Sequence, residues 1–177
     1  MAKNNILPII LGLGAFFMIK KANAANTSTP ALTEGFWGTV AGQKGLQYKP
    51  FFDAAESQYN IPNNILAKMG WRESRWNPDV VSGVQKGPSG ELGIMQITPR
   101  WHPGVNYTIP KDAILYAGKY LRENYNKFGS WPLATMAYNW GPGNTAKWLE
   151  WPERNLNTIP PVTYSYLKEV YGNNVSV

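Results

Sequence analysis

The sequence predicts a mostly α-helical fold with long loops and at most a small β-hairpin. Two observations support this fold class. From Tyr48 onward, apolar residues recur at helical spacing in several segments, and proline or glycine separates one segment from the next. Residues 79–93 instead hold four glycines and Pro88, a composition typical of a loop or a short hairpin. We therefore expect five or six helices with little strand.

The first two predicted helices each begin near a proline. Pro50 precedes a segment, residues 51–59, whose apolar residues share one helical face. Pro62 suits the first turn of the second helix. This helix should continue to about residue 75 or 76, where Asn77-Pro78 disfavours the helical backbone.

The C-terminal half predicts four more helices. The strongest prediction is residues 111–128, where alanine, isoleucine, leucine and tyrosine form one stripe. Residues 131–140 follow, ended by Gly141-Pro142-Gly143, and residues 145–151 and 162–171 are shorter candidates.

The N-terminus carries an uncharged apolar run, ILPIILGLGAFFMI, at residues 6–19, with lysines on both sides. It is short for a transmembrane helix, although flanking lysines can reach the interface. It also fits a secretory signal, because small residues at 22–25 resemble a cleavage site. A buried core helix is disfavoured by Pro8, Gly12 and Gly14. We expect residues 1–21 to form a membrane anchor or a signal segment.

The next boundary follows from composition. Residues 22–47 are rich in Ala, Asn, Thr, Ser and Gly and poor in periodic apolar residues, which predicts a flexible linker. Phe36-Trp37 interrupts it and is a candidate for docking on the domain. Residues 48–177 are predicted to be the folded domain.

Composition excludes several kinds of chemistry. The 177 residues contain no cysteine and a single histidine, His102, so thiolate sites and paired imidazoles are excluded. We expect no cofactor and no metal. The formal charge of +6 falls to +3 without Lys3, Lys20 and Lys21 (17 − 3 − 11 = 3). This mild excess suits an anionic polymer, whereas nucleic acid is disfavoured because there is no dense basic cluster.

Glu73 is the strongest catalytic candidate in the sequence. It shares a helical face with Ile65 and Met69, at spacings of eight and four residues, so it extends an apolar stripe. Partial burial would raise its pKa, as a general acid near neutral pH requires. The alternative is a structural ion pair with Arg72 or Arg75.

Four sequence elements around Glu73 form a recognisable set. They are RESRWNP at residues 72–78, Ser82, GELGIMQ at residues 90–96 and AYNWGPG at residues 137–143. In this order the chain resembles the lytic transglycosylases, lysozyme-like enzymes that cut the glycan strands of bacterial peptidoglycan, over roughly residues 51–170. The resemblance implies a lysozyme-like α domain.

The resemblance also implies roles for individual residues. Glu73 would be the single catalytic acid and base, and Ser82 would orient the carboxylate or the sugar. The residues that would contact the sugar in the cleft are Met95, Gln96, Tyr138, Asn139 and Tyr166. Core packing is the alternative for Met95 and Tyr138, and loop capping is the alternative for the two amides. Val162 stands where the family usually has glutamate, and Trp140 replaces a smaller residue.

The implied activity is cleavage of the β-1,4 bond between N-acetylmuramic acid and N-acetylglucosamine, with a 1,6-anhydro product. A hydrolytic muramidase on the same fold is one alternative, with Asp79 or Glu91 as a second acid. A non-catalytic peptidoglycan-binding module is another, and a vestigial domain in a membrane protein of a phage or secretion machine is a third. A small, cysteine-free enzyme behind a short apolar segment suits the cell envelope or a virion. We expect glycan strands as the substrate and, through the N-terminal segment, a membrane as a partner.

Overall fold

The computed structural model describes residues 35–177, where the regular secondary structure is helical and a long segment without helix separates Val81 from Pro110. A single antiparallel bridge between Leu92 and Ile97 is the β pairing found there. The α-helices, in order, are α1 (Val40–Lys44), α2 (Lys49–Gln58), α3 (Ile65–Ser74), α4 (Pro78–Val81), α5 (Pro110–Phe128), α6 (Trp131–Trp140), α7 (Pro142–Leu149) and α8 (Pro161–Tyr171). Short 3-10 turns occur at Phe36–Gly38, Leu46–Tyr48 and Leu156–Thr158.

The prediction of a mostly α fold with at most a small hairpin is confirmed. Two local differences have clear causes. α4 lies inside the segment predicted as loop, because the Asn77 side chain accepts a hydrogen bond from the Asp79 backbone N–H, 2.9 Å away, and starts a short helix. α3 begins at Ile65 rather than at Pro62.

The segment before Tyr48 is folded where it is described, which corrects the predicted linker for residues 35–47. Phe36 and Trp37 are buried in the core. Thr39 caps α1 through a hydrogen bond from the Gly42 N–H, and the Trp76 indole donates to the Ala41 carbonyl at 2.8 Å. The predicted anchor or signal at residues 1–21 and the first part of the linker lie outside the described residues. Among the helices of residues 35–177, none is both long enough and apolar enough to span a bilayer.

α3 runs through the main core and contacts α2, α5 and α8. Leu66 and Met69 on its inner face are fully buried. Glu56 of α2 holds its N-terminus, since its carboxylate accepts hydrogen bonds from the Asn64 N–H at 2.8 Å and the Leu66 N–H at 2.9 Å. These contacts satisfy donors that a helix start leaves unpaired and fix the helix that carries Glu73.

A second apolar cluster holds α8 against α6. Leu133 and Met136 of α6 pack with Trp148 of α7 and Leu167 of α8. A hydrogen bond of 2.7 Å between the Thr135 hydroxyl of α6 and the Tyr171 hydroxyl of α8 joins the same two helices. Together these contacts fix α8 beside α3.

Candidate active site

The C-terminal end of α3 sets the position of Glu73. Ser74 donates a hydrogen bond to the Gly70 carbonyl at 3.0 Å and accepts one from the Trp76 N–H at 3.3 Å. Arg75 then adopts a left-handed backbone with φ of 51°, which ends the helix. Glu73 therefore lies in the last turn of α3, where it lines a cleft.

This cleft has a volume of about 310 Å³ and is open to solvent. Three helices and the segment between α4 and α5 form its walls. Its lining residues are Arg72 and Glu73 of α3, Tyr138 and Asn139 of α6, Val162 and Tyr166 of α8, and Pro88, Glu91, Gln96 and Thr98 between α4 and α5.

The Glu73 carboxyl titrates near neutral pH. Burial raises its pKa to about 7, and the negative charge of Glu91 acts in the same direction. The Tyr166 hydroxyl, which donates to Glu73 Oε1 at 2.7 Å, and the Arg72 cation lower the pKa and only partly offset the burial. Near neutral pH the group can therefore exist in both protonation states, which suits acid and base steps.

A structural ion pair does not account for Glu73. Arg72 Nε lies 3.2 Å from the Glu169 carboxylate, and Arg75 pairs with the same carboxylate. Among the salt bridges of residues 35–177, both arginines contact Glu169 and not Glu73, Arg75 through hydrogen bonds and Arg72 through an ion-pair contact without one.

Two tyrosines on different helices face Glu73. Tyr166 donates to it directly, whereas the Tyr138 hydroxyl donates to the Met95 carbonyl at 2.9 Å. Burial, with the Glu73 charge nearby, raises the pKa of both phenols well above their ordinary value. Both hydroxyls therefore remain neutral hydrogen-bond donors.

Gln96 reaches the cleft from a strained turn. Its φ of 45° is unusual for a residue with a side chain. Its amide nitrogen donates to the Gly93 carbonyl at 3.0 Å, and the residue lines the cleft. Asn139, at the end of α6, lines the opposite side.

Five of the residues suggested by the sequence motifs line this one cleft, and two do not. Met95 is fully buried, so its side chain packs in the core and only its carbonyl approaches the site through Tyr138. Ser82 is exposed at the end of α4, where its hydroxyl donates to the Asp79 carbonyl at 3.3 Å. Neither Ser82 nor Asp79 lines the cleft, whereas Glu91 does.

Sequence reasoning gave no site role to Thr98 or Pro88, and it considered Arg72 only as an ion-pair partner. Thr98 directly follows the Leu92–Ile97 bridge and lines the cleft together with Gln96. That pairing has no local sequence signal beyond the glycines before it. Within residues 35–177, no three His, Cys, Asp or Glu side chains are grouped so that they could hold a metal ion.

The fold and the cleft define a helical domain that places the buried Glu73 carboxyl, with its raised pKa, in a solvent-open cleft. The chain belongs to the transglycosylase SLT domain family, whose model matches residues 50–157. It is 34% identical over 106 residues to a transglycosylase of Enterobacteria phage PRD1, covering 58% of this chain and 38% of that protein.

Bacterial relatives show the same similarity. The chain is 30% identical over 127 residues to the soluble lytic murein transglycosylase of Escherichia coli K12, covering 64% of this chain and 19% of that protein. It is 29% identical over 108 residues to membrane-bound lytic murein transglycosylase F 2 of Alkalilimnicola ehrlichii, covering 55% and 23%. The chain thus spans less than two fifths of the length of these relatives.

Proposed function

We propose that this protein is a peptidoglycan lytic transglycosylase. It cleaves the β-1,4 bond between N-acetylmuramic acid and N-acetylglucosamine and leaves a 1,6-anhydro-N-acetylmuramic acid end. The observation that carries the proposal is the Glu73 carboxyl, which has a pKa of about 7 and lies in an open cleft without an ion-pair partner among residues 35–177. The membership of this chain in the transglycosylase SLT domain family supports the same reaction class.

The reaction needs only one carboxyl. Protonated Glu73 donates its proton to the glycosidic oxygen as the bond from that oxygen to the muramic anomeric carbon breaks. The Glu73 carboxylate then takes the proton of the muramic C6 hydroxyl, whose oxygen bonds to the anomeric carbon. Glu73 ends protonated, no water is consumed, and the N-acetyl group of the substrate stabilises the intermediate.

The other cleft residues hold the acid and the sugar. Tyr166 occupies Oε1 of Glu73, so that Oε2 carries the proton towards the substrate. Gln96 and Asn139 offer amide groups to sugar hydroxyls, and the Tyr138 ring offers a face for packing. Ser82 and the Met95 side chain are left out of this proposal, since neither lines the cleft.

The proposed location is the cell envelope or a virion that breaches it. Residues 1–21 would attach the protein to a membrane or direct its export, and the folded domain would act on glycan strands nearby. The apolar run at residues 6–19 supports this arrangement, as does similarity to both a phage protein and a membrane-bound one.

Mass spectrometry of peptidoglycan digested by the full chain tests the activity. We expect fragments that end in 1,6-anhydro-N-acetylmuramic acid. Reducing ends instead would indicate a muramidase, with Glu91 as the second carboxyl in the cleft. No fragments from a folded sample would indicate a non-catalytic binding module.

Glu73→Gln tests the proposed acid. The amide cannot exchange the proton, so we expect cutting to fall by at least about a thousandfold, in the range for lost acid and base catalysis. Circular dichroism and sedimentation with insoluble peptidoglycan should show an intact fold and retained binding. Glu153→Gln, at an exposed glutamate outside the cleft, is the matched control. Retained cutting by Glu73→Gln would remove Glu73 from the mechanism.

A further inference from the structure

The two arginines that flank Glu73 in the sequence share one carboxylate on another helix. We propose that Glu169 is a positioning residue that holds the Arg72 guanidinium away from the Glu73 carboxyl and so keeps Glu73 able to donate a proton at neutral pH. The proposal rests on the proposed function for its meaning in catalysis, but its central claim concerns the protonation of Glu73 and can be tested without substrate.

Arg72 contacts Glu169 through an ion pair, although its Nε makes no hydrogen bond within residues 35–177. Its Nε lies 3.2 Å from Glu169 Oε2, and the same oxygen accepts a hydrogen bond from Arg75 Nη2 at 2.9 Å. The side chains of Arg72 and Glu169 are 26% and 29% exposed, so water screens this pair less than it would a surface pair. One carboxylate on α8 thus contacts the residues on either side of Glu73-Ser74, namely Arg72 in the last turn of α3 and Arg75 just after it.

Arg72 is close enough to the acid to matter if it is released. Its guanidinium carbon lies 5.8 Å from the centre of the Tyr166 ring, and the hydroxyl of that ring is bonded to Glu73. Arg72 and Glu73 both line the cleft. Without Glu169, the carboxyl groups of Glu73 and Glu91 would be the anionic partners left to Arg72 in this cleft. A cation within about 4–6 Å of a carboxyl lowers its pKa by about one to three units.

The other titratable groups that face Glu73 do not take over the effect of Arg72 on its pKa. Tyr166 on α8 and Tyr138 on α6 remain neutral because burial raises their pKa values. Glu91, from the segment between α4 and α5, raises the pKa of Glu73. Arg72 is the cation that acts on Glu73, and it lowers the pKa even while it is bound to Glu169.

Carbon-13 NMR titration of the glutamate carboxyl groups in the full chain measures the effect directly. The Glu73 resonance is the one absent from Glu73→Gln. In Glu169→Gln we expect the pKa of Glu73 to fall by about one unit, in the range for a newly paired carboxyl. Glu169→Asp keeps the negative charge, so the pKa of Glu73 in this variant should stay close to its wild-type value. Glu123→Gln, which breaks an exposed ion pair with Lys119 on α5, is the matched control and should change nothing.

A double variant separates release of Arg72 from the loss of one negative charge. If Glu169 acts through Arg72, then Glu169→Gln should not lower the pKa of Glu73 further when Arg72 is already changed to Gln. An unchanged pKa in Glu169→Gln, or the same fall in the Arg72→Gln background, would overturn the proposal.

The activity profile provides a second readout. With the pKa one unit lower, the protonated fraction at about pH 7 falls about fivefold, whereas at about pH 5 it hardly changes. Cutting by Glu169→Gln should therefore fall about fivefold at the higher pH and stay near wild type at the lower one. A loss that is equal at both would mean a merely structural role and would contradict the proposal. Wild-type protein that never cuts would count against the proposed function, while the NMR result would still decide the role of Glu169.

Discussion

Glu73 titrates differently in the folded and unfolded chain. Burial raises its pKa to about 7 in the folded protein, whereas its ordinary value is 4.5. Below that ordinary value both states are protonated and the group has no effect on stability. Between the two values the unfolded chain releases the proton first, so the free energy of unfolding falls as pH rises. The loss is complete above the folded pKa and amounts to up to about 3 kcal/mol.

Glu73→Gln should therefore stabilise the fold at high pH and not at low pH. At about pH 8 we expect the free energy of unfolding to exceed that of wild type by up to about 3 kcal/mol, and at about pH 4 the two should agree. Urea denaturation at both conditions measures this difference. If wild type and Glu73→Gln were equally stable at both pH values, Glu73 would not be held in a desolvated site.

Tyr166→Phe isolates the hydrogen bond to Glu73. The phenol favours the ionised carboxylate, so its removal should raise the pKa of Glu73 and move the high-pH limb of activity upward. Maximal activity should drop about tenfold to a hundredfold, because a hydrogen bond to a charged group contributes about 1.5–3 kcal/mol. Rates of anhydro-end formation across pH provide the measurement. Tyr138→Phe loses a hydrogen bond to the Met95 carbonyl instead, so the pH at which activity declines on the alkaline side should not change.

The turn that presents Gln96 depends on a close backbone approach at Gly93. Gly93 has φ of 74°, and a Cβ there would meet the Tyr107 carbonyl. Gly93→Ala should therefore shift the turn and reduce both stability and cutting, by more than the 1–2 kcal/mol of a left-handed residue alone.

Gly90→Ala is the matched control for Gly93. It has φ of 86° and open space where a Cβ would stand. Thermal unfolding and cutting rates of both variants should show the larger loss for Gly93→Ala. Equal losses would mean that backbone strain, and not the contact with Tyr107, sets the cost.

Periodicity predicted the long helices well because each of them buries one face. α6 occupies residues 131–140 as predicted, and α5 ends at Phe128 as predicted, where a left-handed Gly129 follows. The same reasoning missed α1 and the start of the domain. A five-residue helix has too few turns to show a period, and the burial of Phe36 depends on residues far along the chain.

Motif spacing predicted which residues gather at the cleft better than it predicted where side chains point. Met95 and Gln96 are neighbours, yet the left-handed backbone at Gln96 sends one side chain to the core and the other to the cleft. The pairing of Glu169 with Arg72 and Arg75 was also missed, because it joins helices about ninety residues apart and no local pattern encodes it.

The N-terminal turns and the end of α3, the helix that carries Glu73, belong to one aromatic core. Phe36 contacts Trp37 with ring centres 5.2 Å apart, Trp37 lies 6.1 Å from Phe52, and Phe52 lies 5.7 Å from Trp76. Trp76 lies two residues after Ser74, the last residue of α3. The segment before Tyr48 therefore supports the helix that carries Glu73, and a domain cut at Tyr48 would lose part of its core.

Trp37→Ala in the full chain tests this dependence. Trp37 is 3% exposed, so its truncation should lower the free energy of unfolding by about 3–5 kcal/mol. Trp37→Phe is the matched control: the indole N–H has no hydrogen-bond partner among residues 35–177, so Phe keeps a ring and loses no such bond. Urea denaturation should therefore show a much smaller loss for Phe than for Ala. If Ala cost no more than Phe, these turns would lie on the domain without stabilising it, and the chain before Tyr48 would behave as the linker that its composition predicts.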